Sequence, residues 1–241
     1  MNSIENQTFQ DFEYLVVAGT SSDKTYEIID KNLHMIDVFI SDADDGLYFA
    51  MNKGLKVAKG RYIGILNADD IYLSNTLELV HNAVKNHTDR NIIYGAMNYF
   101  DNPSQIHFIH SNELSKRMIF HPTVFVSNDT YKRRGYFNTK FKVAADYDFA
   151  MRCWKANESF YGLENVLATF SGGGTSAKLR FRSILETSEI QAKYNMEAKY
   201  FQLVKLVRTL SITYSRESLT IITVWLNLII KKYFNYLKNI I

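Results

Sequence analysis

A single cysteine, Cys153, among 241 residues leaves no partner for an internal disulfide and too few thiols for a Cys-rich zinc site. The expectation is a reducing, cytoplasmic setting. Two prolines and 11 glycines exclude a collagen-like or Pro/Gly-rich disordered chain. Aromatic residues make up 14% of the chain, a composition that builds a core and not a disordered tail. No apolar run reaches the roughly 18 residues needed to span a bilayer. The longest, Leu219–Ile230, is interrupted by polar residues and followed by Lys231 and Lys232. Met1–Glu13 lacks the apolar stretch of a secretory leader, and neither internal repeats nor low-complexity segments occur.

The charge is unevenly placed. Residues 1–175 carry 17 Lys/Arg and 21 Asp/Glu, whereas residues 176–241 carry 11 and 4. An acidic body with a basic tail differs from the positive stripe of a nucleic-acid binder, so no nucleic-acid partner is expected. It suits a catalytic body whose tail meets something anionic.

Up to about residue 100, short apolar runs alternate with helical periodicity. Tyr14–Val17, Ile36–Ile40, Arg61–Leu66 and Asn91–Met97 read as strands. Between them, helices are expected from Asp23 to about Lys31, along Leu47, Met51, Leu55 and Ala58, and after an N-cap at Ser74. This alternation predicts an α/β fold with a mostly parallel sheet. Beyond residue 100 the pattern loosens: Phe120–Val126 and Tyr161–Phe170 read as strands around a helix from about Asp146 to Ala156. From Ser183 the sequence turns helical and basic. The expected organisation is a body over residues 1–176 and a helical extension over 177–241.

The densest chemistry is Asn67-Ala-Asp69-Asp70, directly after an apolar strand. Ligands of open α/β sheets bind beyond the carboxyl ends of strands, and acidic oxygens there suit a hard divalent cation. The same acids also serve as ordinary turn or N-cap residues. A second carboxylate centre, Ala144-Ala-Asp146-Tyr-Asp148, reads either as a general base at a helix start or as an N-cap, with Asp148 and Arg152 forming an i,i+4 pair.

Taken together, Asp44-Asp-Gly-Leu-Tyr-Phe-Ala-Met-Asn-Lys-Gly54, Ala58-Lys-Gly60 and Ile63-Gly-Ile-Leu-Asn-Ala-Asp-Asp70 resemble the family 2 glycosyltransferases of the GT-A fold, in particular the branch that builds bacterial capsule and lipopolysaccharide sugars. The resemblance implies that Asp69 and Asp70 hold Mn²⁺ or Mg²⁺ against the diphosphate of a UDP- or GDP-type nucleotide-sugar. Asp44, Asn52, Asn67 and Asp69 would contact the donor, and Asp146 would be the base of an inverting transfer. Ala145 stands where many relatives carry Glu. Phe120-His-Pro-Thr-Val-Phe-Val126 is similar to the segment preceding the base, which makes His121 an acceptor contact. Ala168-Thr-Phe-Ser-Gly-Gly-Gly-Thr-Ser176 is similar to the family's Gly-Gly-x-Ser segment, which brings Gly173 and Gly174 to the donor. It lacks the Gly-Lys-Ser/Thr of a P-loop.

Two departures fall at the amino end. The resemblance begins near Asn6, after the place of the family's first strand and helix, and Ala18 stands where an acid usually contacts the nucleotide's base. The implied function is transfer of a sugar to a surface-polysaccharide or lipid-linked glycan acceptor. The alternative is an impaired relative that binds a glycan or a partner protein. In the tail, Trp225, Leu226, Tyr233 and Phe234 with Lys231, Lys232 and Lys238 suit either peripheral contact with anionic lipid at the inner membrane face or packing on protein.

Overall fold

In the computed structural model, residues 1–21, 23–85, 87, 89–172 and 179–194 are described. After a one-turn helix α1 (Asn2–Glu5), strand β1 (Leu15–Ala18) runs parallel to β2 (Val38–Ser41), with Leu15 opposite Val38. A parallel pair needs a crossover, and helix α2 (Thr25–Lys31) lies within it. Helix α3 (Leu47–Val57) leads to β3 (Tyr62–Gly64), followed by β4 (Ile71–Tyr72), α4 (Thr76–Val84) and β5 (Ile92–Tyr99). Then come β6 (Phe125–Ser127), α5 (Asn128–Arg134), α6 (Ala145–Lys155), β7 (Phe160–Phe170) and α7 (Arg180–Lys193). Five of the strands form one sheet in the order β3-β6-β5-β7-β4.

The α/β class holds, but the five-stranded sheet is mixed. Only β5 and β7 pair in parallel; β3–β6, β6–β5 and β4–β7 are antiparallel. Neither β4 nor β6 enters through a crossover helix, so nothing forces either strand to run parallel.

Strand β5 fixes the layering. Ile92 and Tyr94 join one hydrophobic cluster and Ile93 the other, as the two-residue period of a strand requires. Val126 and Phe125 of β6 divide the same way. Tyr147, Phe149, Ala150 and Met151 of α6, with Tyr48, Met51 and Leu55 of α3, fill the first cluster; Val80, Ala83 and Val84 of α4 fill the second. Cys153, also on α6, is fully buried, and burial pushes its thiol up to about 12.

Two local expectations change. Helix α4 starts at Thr76, and Ser74 does not cap it. The cap comes from Gln7, whose Oε1 accepts from the Leu77 N–H at 3.0 Å while its Nε2 donates to the Leu73 carbonyl at 2.7 Å. Phe120–Val126 is not one strand. A 3₁₀ turn occupies His121–Thr123 and only Phe125–Ser127 pairs. Pro122 has no N–H to give a ladder, and the Thr123 hydroxyl closes the turn on the Phe120 carbonyl.

The expected domain boundary near residue 176 falls inside the undescribed stretch 173–178. Helix α7 beyond it is hydrogen bonded to the body, and the first compact unit runs to Glu197. The second unit, Ala198–Ile241, and with it the tail residues from Trp225 onward, lies outside the described residues. No helix among the described residues is long and apolar enough to cross a membrane.

A buried acid closes the lower end of α6. Glu158 accepts from Arg133 at 2.9 Å, from Arg134 at 2.6 Å and from the Asn91 amide. Burial alone would raise its pKa; the two guanidinium groups outweigh burial and hold it below the ordinary glutamate range. A depressed folded-state pKa contributes stability in full above the unfolded value and loses it as pH falls through the folded one. Glu158→Gln is therefore expected to lower stability at neutral pH by about 1–3 kcal/mol. The gap to wild type should close in urea titrations as pH falls below the ordinary glutamate range; a gap independent of pH would refute the ion-pair account.

Candidate active site

Three separate segments converge on a cavity of about 240 Å³. Asn67 enters from the turn after β3, His121 from the 3₁₀ turn and Asp146 from the first turn of α6; Tyr48 of α3 and Lys142 complete the polar wall. Tyr99, Phe120 and Phe170 supply an aromatic side. The expected residues Asn67, His121 and Asp146 are thus brought together from positions spread over 80 residues of chain.

The two oxygens of Asp146 are placed differently. Oδ1 accepts from the Tyr48 hydroxyl at 2.9 Å and from the Tyr147 N–H at 2.9 Å. Oδ2 faces His121 Nδ1 at 3.9 Å. Tyr48 also reaches the Val143 carbonyl at 2.9 Å. Burial, reinforced by the charge of Asp146, drives its phenol far above the ordinary value, so it remains a donor. Burial lowers the pKa of His121, partly offset by Asp146, and its buried Nε2 has no hydrogen-bond partner. A neutral imidazole and the Asp146 carboxylate therefore line the cavity side by side.

The acidic turn is built next to this wall. Gly64, the last residue of β3, allows the close packing there: a Cβ would stand 2.4 Å from the Phe125 ring and 2.8 Å from the Tyr72 hydroxyl. The chain then turns through Asn67, whose carbonyl accepts from the Asp70 N–H at 3.1 Å and whose Nδ2 donates to Asp70 Oδ2 at 3.1 Å. Strand β4 pins the other side, with Ile71 opposite Thr169 of β7, and the Ser171 hydroxyl donates to the Asp69 carbonyl. Asp69 is exposed. Asp70 is 5% exposed, and its Oδ1 has no partner. Burial raises the Asp70 pKa, with the neighbouring Asp69 adding to the rise against the Asn67 bond.

An unpaired buried carboxylate oxygen is costly unless something completes it. Asp69 and Asp70 fit a hard divalent cation that takes one or two protein carboxylates and the rest of its oxygens from a substrate's phosphates. Among the described residues no cluster of three or more His, Cys, Asp or Glu forms a self-sufficient metal cage.

Other expected contacts are placed apart. Asp44 lies against the end of β1: a Cβ on Gly19 would be 3.5 Å from Asp44 Oδ2. Its Oδ1 accepts from the Gly46 N–H at 3.1 Å, a fold-back that Gly46 permits with φ +129° at the start of α3. Both ends of the Asn52 amide are engaged by the backbone of Phe137, at 2.9 and 3.0 Å, which makes it a brace between α3 and the segment before α6. Asp148 is buried, and its partners are Arg152 at 3.2 Å and Lys193 at 2.8 Å. Gly173 and Gly174 lie outside the described residues. Tyr48 carried no assigned role in the sequence; its spacing with Met51 and Leu55 on the inner face of α3 was the available signal.

Comparisons with known proteins identify the family. Residues 1–153, more than half of the chain, match the family described as Glycosyl transferase family 2. A PGL/p-HBAD biosynthesis glycosyltransferase of Mycobacterium tuberculosis is 33% identical over 163 residues, covering 64% of this chain and 62% of its own. A glycosyltransferase of Methanocaldococcus jannaschii is 28% identical, covering 70% of this chain and 63% of its own. The chain thus spans a little over three fifths of the length of these curated relatives. Among solved structures, TarS of S. aureus in complex with UDP-GlcNAc superposes with a TM-score of 0.65 at 18% identity, over 90% of this chain and 71% of that one. The mannosyltransferase PcManGT of Pyrobaculum calidifontis, in complex with GDP-Man and Mn²⁺, gives 0.62 at 15% identity, over 98% and 77%. With the α/β layering, the acidic turn after β3 and a family match across both carboxylate centres, the chain belongs to glycosyl transferase family 2.

Proposed function

We propose that this chain is a metal-dependent, inverting glycosyltransferase. It moves a sugar from a nucleotide-sugar donor to a surface-polysaccharide or lipid-linked glycan acceptor. The observation that carries the reading is the asymmetric anchoring of Asp146: Oδ1 is tied to Tyr48 and the α6 backbone, and Oδ2 is left towards the cavity. Family membership and the nucleotide-sugar complexes of TarS and PcManGT support the donor class.

In this reading Asp146 Oδ2 takes the proton of the acceptor hydroxyl as that oxygen attacks the anomeric carbon from the face opposite the nucleotide. The bond to the nucleoside diphosphate breaks, and the configuration inverts. A single carboxylate suffices because no acid has to protonate a diphosphate leaving group, unlike the paired carboxylates of a glycosidase. The neutral His121 lines the cavity beside Asp146 Oδ2 as an acceptor contact. Asp69 and Asp70 would hold Mn²⁺ or Mg²⁺. The bound cation supplies charge neutralisation for the departing diphosphate. Asn67 orients Asp70 and lines the cavity, and Asp44 reaches the donor from the end of β1. The basic segment 177–241 is consistent with work at the inner face of a membrane, where a lipid-linked acceptor would lie.

Calorimetric titration of UDP- and GDP-sugars should show donor binding that requires Mn²⁺ and is lost in Asp69→Ala. Absence of metal-dependent binding for every donor would sink the proposal. Asp146→Asn should retain donor binding while turnover falls by about 10²–10⁴-fold; full activity would remove Asp146 as the base. Asp70→Asn removes a buried negative charge beside Asp69, so the metal-free protein should gain on the order of 1 kcal/mol. The same variant should lose the rise in melting temperature that Mn²⁺ gives wild type. A less stable metal-free Asp70→Asn would contradict this account of the turn.

A further inference from the structure

The segment that carries Asp146 is tethered on both sides to one helix, α7, which lies beyond the region of family match. Before Asp146, the Glu186 carboxylate accepts three successive backbone N–H groups: Lys142 at 2.9 Å, Val143 at 2.8 Å and Ala144 at 3.1 Å. After it, Lys193 donates to Asp148 at 2.8 Å, the Tyr194 hydroxyl reaches the same oxygen at 3.4 Å, and Gln191 approaches the Tyr147 hydroxyl at 3.5 Å. Glu186 itself is steered by Arg182 at 2.8 Å, one turn earlier on α7.

The chemistry of these bonds is directional. Ala144 is the N-cap of α6 and makes no side-chain cap bond. The three N–H groups precede the helix and need an acceptor from elsewhere. A carboxylate gathers several of them at once and sits at the positive end of the α6 dipole. Burial would raise the pKa of Glu186, but the Lys142 N–H, Arg182 and the Val143 and Ala144 N–H groups outweigh it and hold the acid below its ordinary value. Val143, gripped through its N–H by Glu186, presents its carbonyl to Tyr48, and Tyr48 holds Asp146 Oδ1. A continuous line of hydrogen bonds therefore runs from Glu186 to the oxygen that must stay fixed if the other is to face substrate.

We propose that Glu186 is a positioning residue: through the Lys142–Ala144 backbone and Tyr48, α7 sets the orientation of the Asp146 carboxylate in the cavity. This rests on the reading of Asp146 as the base. Displacements of about 1 Å at such a group lower rates by about 10²-fold, so the contribution belongs to kcat and not to donor binding.

The test uses the full chain and Glu186→Gln, which keeps one acceptor and turns an NH₂ donor towards the remaining N–H groups. The ¹H–¹³C signal of the His121 ring, which faces Asp146 Oδ2, serves as a readout that does not need turnover, with Asp146→Asn as reference. Glu186→Gln should shift the His121 signal towards that of Asp146→Asn, leaving His34, which pairs with Glu5, in place. The variant should lower kcat by about 10–100-fold with the donor KM within about threefold of wild type. An unmoved His121 signal, or a lower melting temperature with kcat unchanged, would overturn the proposal and leave Glu186 as a stabilising cap. If Glu186→Gln does not fold, Arg182→Gln removes the side chain that steers Glu186 from a half-exposed position, and a His121 signal unmoved there overturns the role of α7. A wild-type protein that turns over no donor would remove the transferase reading, while the His121 signal still decides whether α7 orients Asp146.

Discussion

Strand β5 must bury both of its faces, and the arrangement of the molecule follows from that requirement. Ile92 and Tyr94 look one way and Ile93 the other, so each face needs a helix. Helix α4 answers on one side, α6 and α3 on the other. Because α6 is pressed against the sheet by Tyr147, Phe149, Ala150 and Met151, its first turn is held near the strand ends. Asp146 lies in that turn, between side chains committed to the core. Its position is a by-product of packing that would form whether or not the residue had a task.

The site itself shows the opposite economy. Tyr48 and His121 are placed by short-range chemistry that packing alone would not produce. A proline ends a would-be strand and turns His121 inward, and a buried phenol bridges a carbonyl and a carboxylate. Among the described residues, buried side-chain atoms without a partner occur on Asp70, Tyr72, His107 and His121; His121 lines the cavity, and Asp70 is held by Asn67, which lines it too. Polar groups left open in this way are tolerated where a ligand completes them.

Much of this was legible in the chain. The alternation of Val-rich runs and helical spacing up to residue 100 identified β1, α2, β2, α3, β3, α4 and β5, because each element there carries its own period. The acids after β3 and at the start of α6 stood out for the same reason: each follows an element boundary that the residues mark locally. What escaped was non-local. Gln7 caps α4 from 70 residues away, Asn52 is bound to the Phe137 backbone 85 residues on, and Glu186 grips a loop more than 40 residues earlier. No periodicity announces such pairings. Pro122 alone was a local warning, since its missing N–H argued against the strand Phe120–Val126.

The lone thiol of Cys153 has a practical meaning in this setting. It lies on α6, two turns after Asp146, with no surface exposed and with a proton that burial makes hard to lose. An alkylating reagent therefore meets no reactive sulfur in the folded chain. The rate at which the native protein becomes labelled measures how often α6 comes away from the sheet, which makes the helix that holds the carboxylate its own reporter. Any cysteine introduced elsewhere for a spectroscopic probe would be read against a silent background.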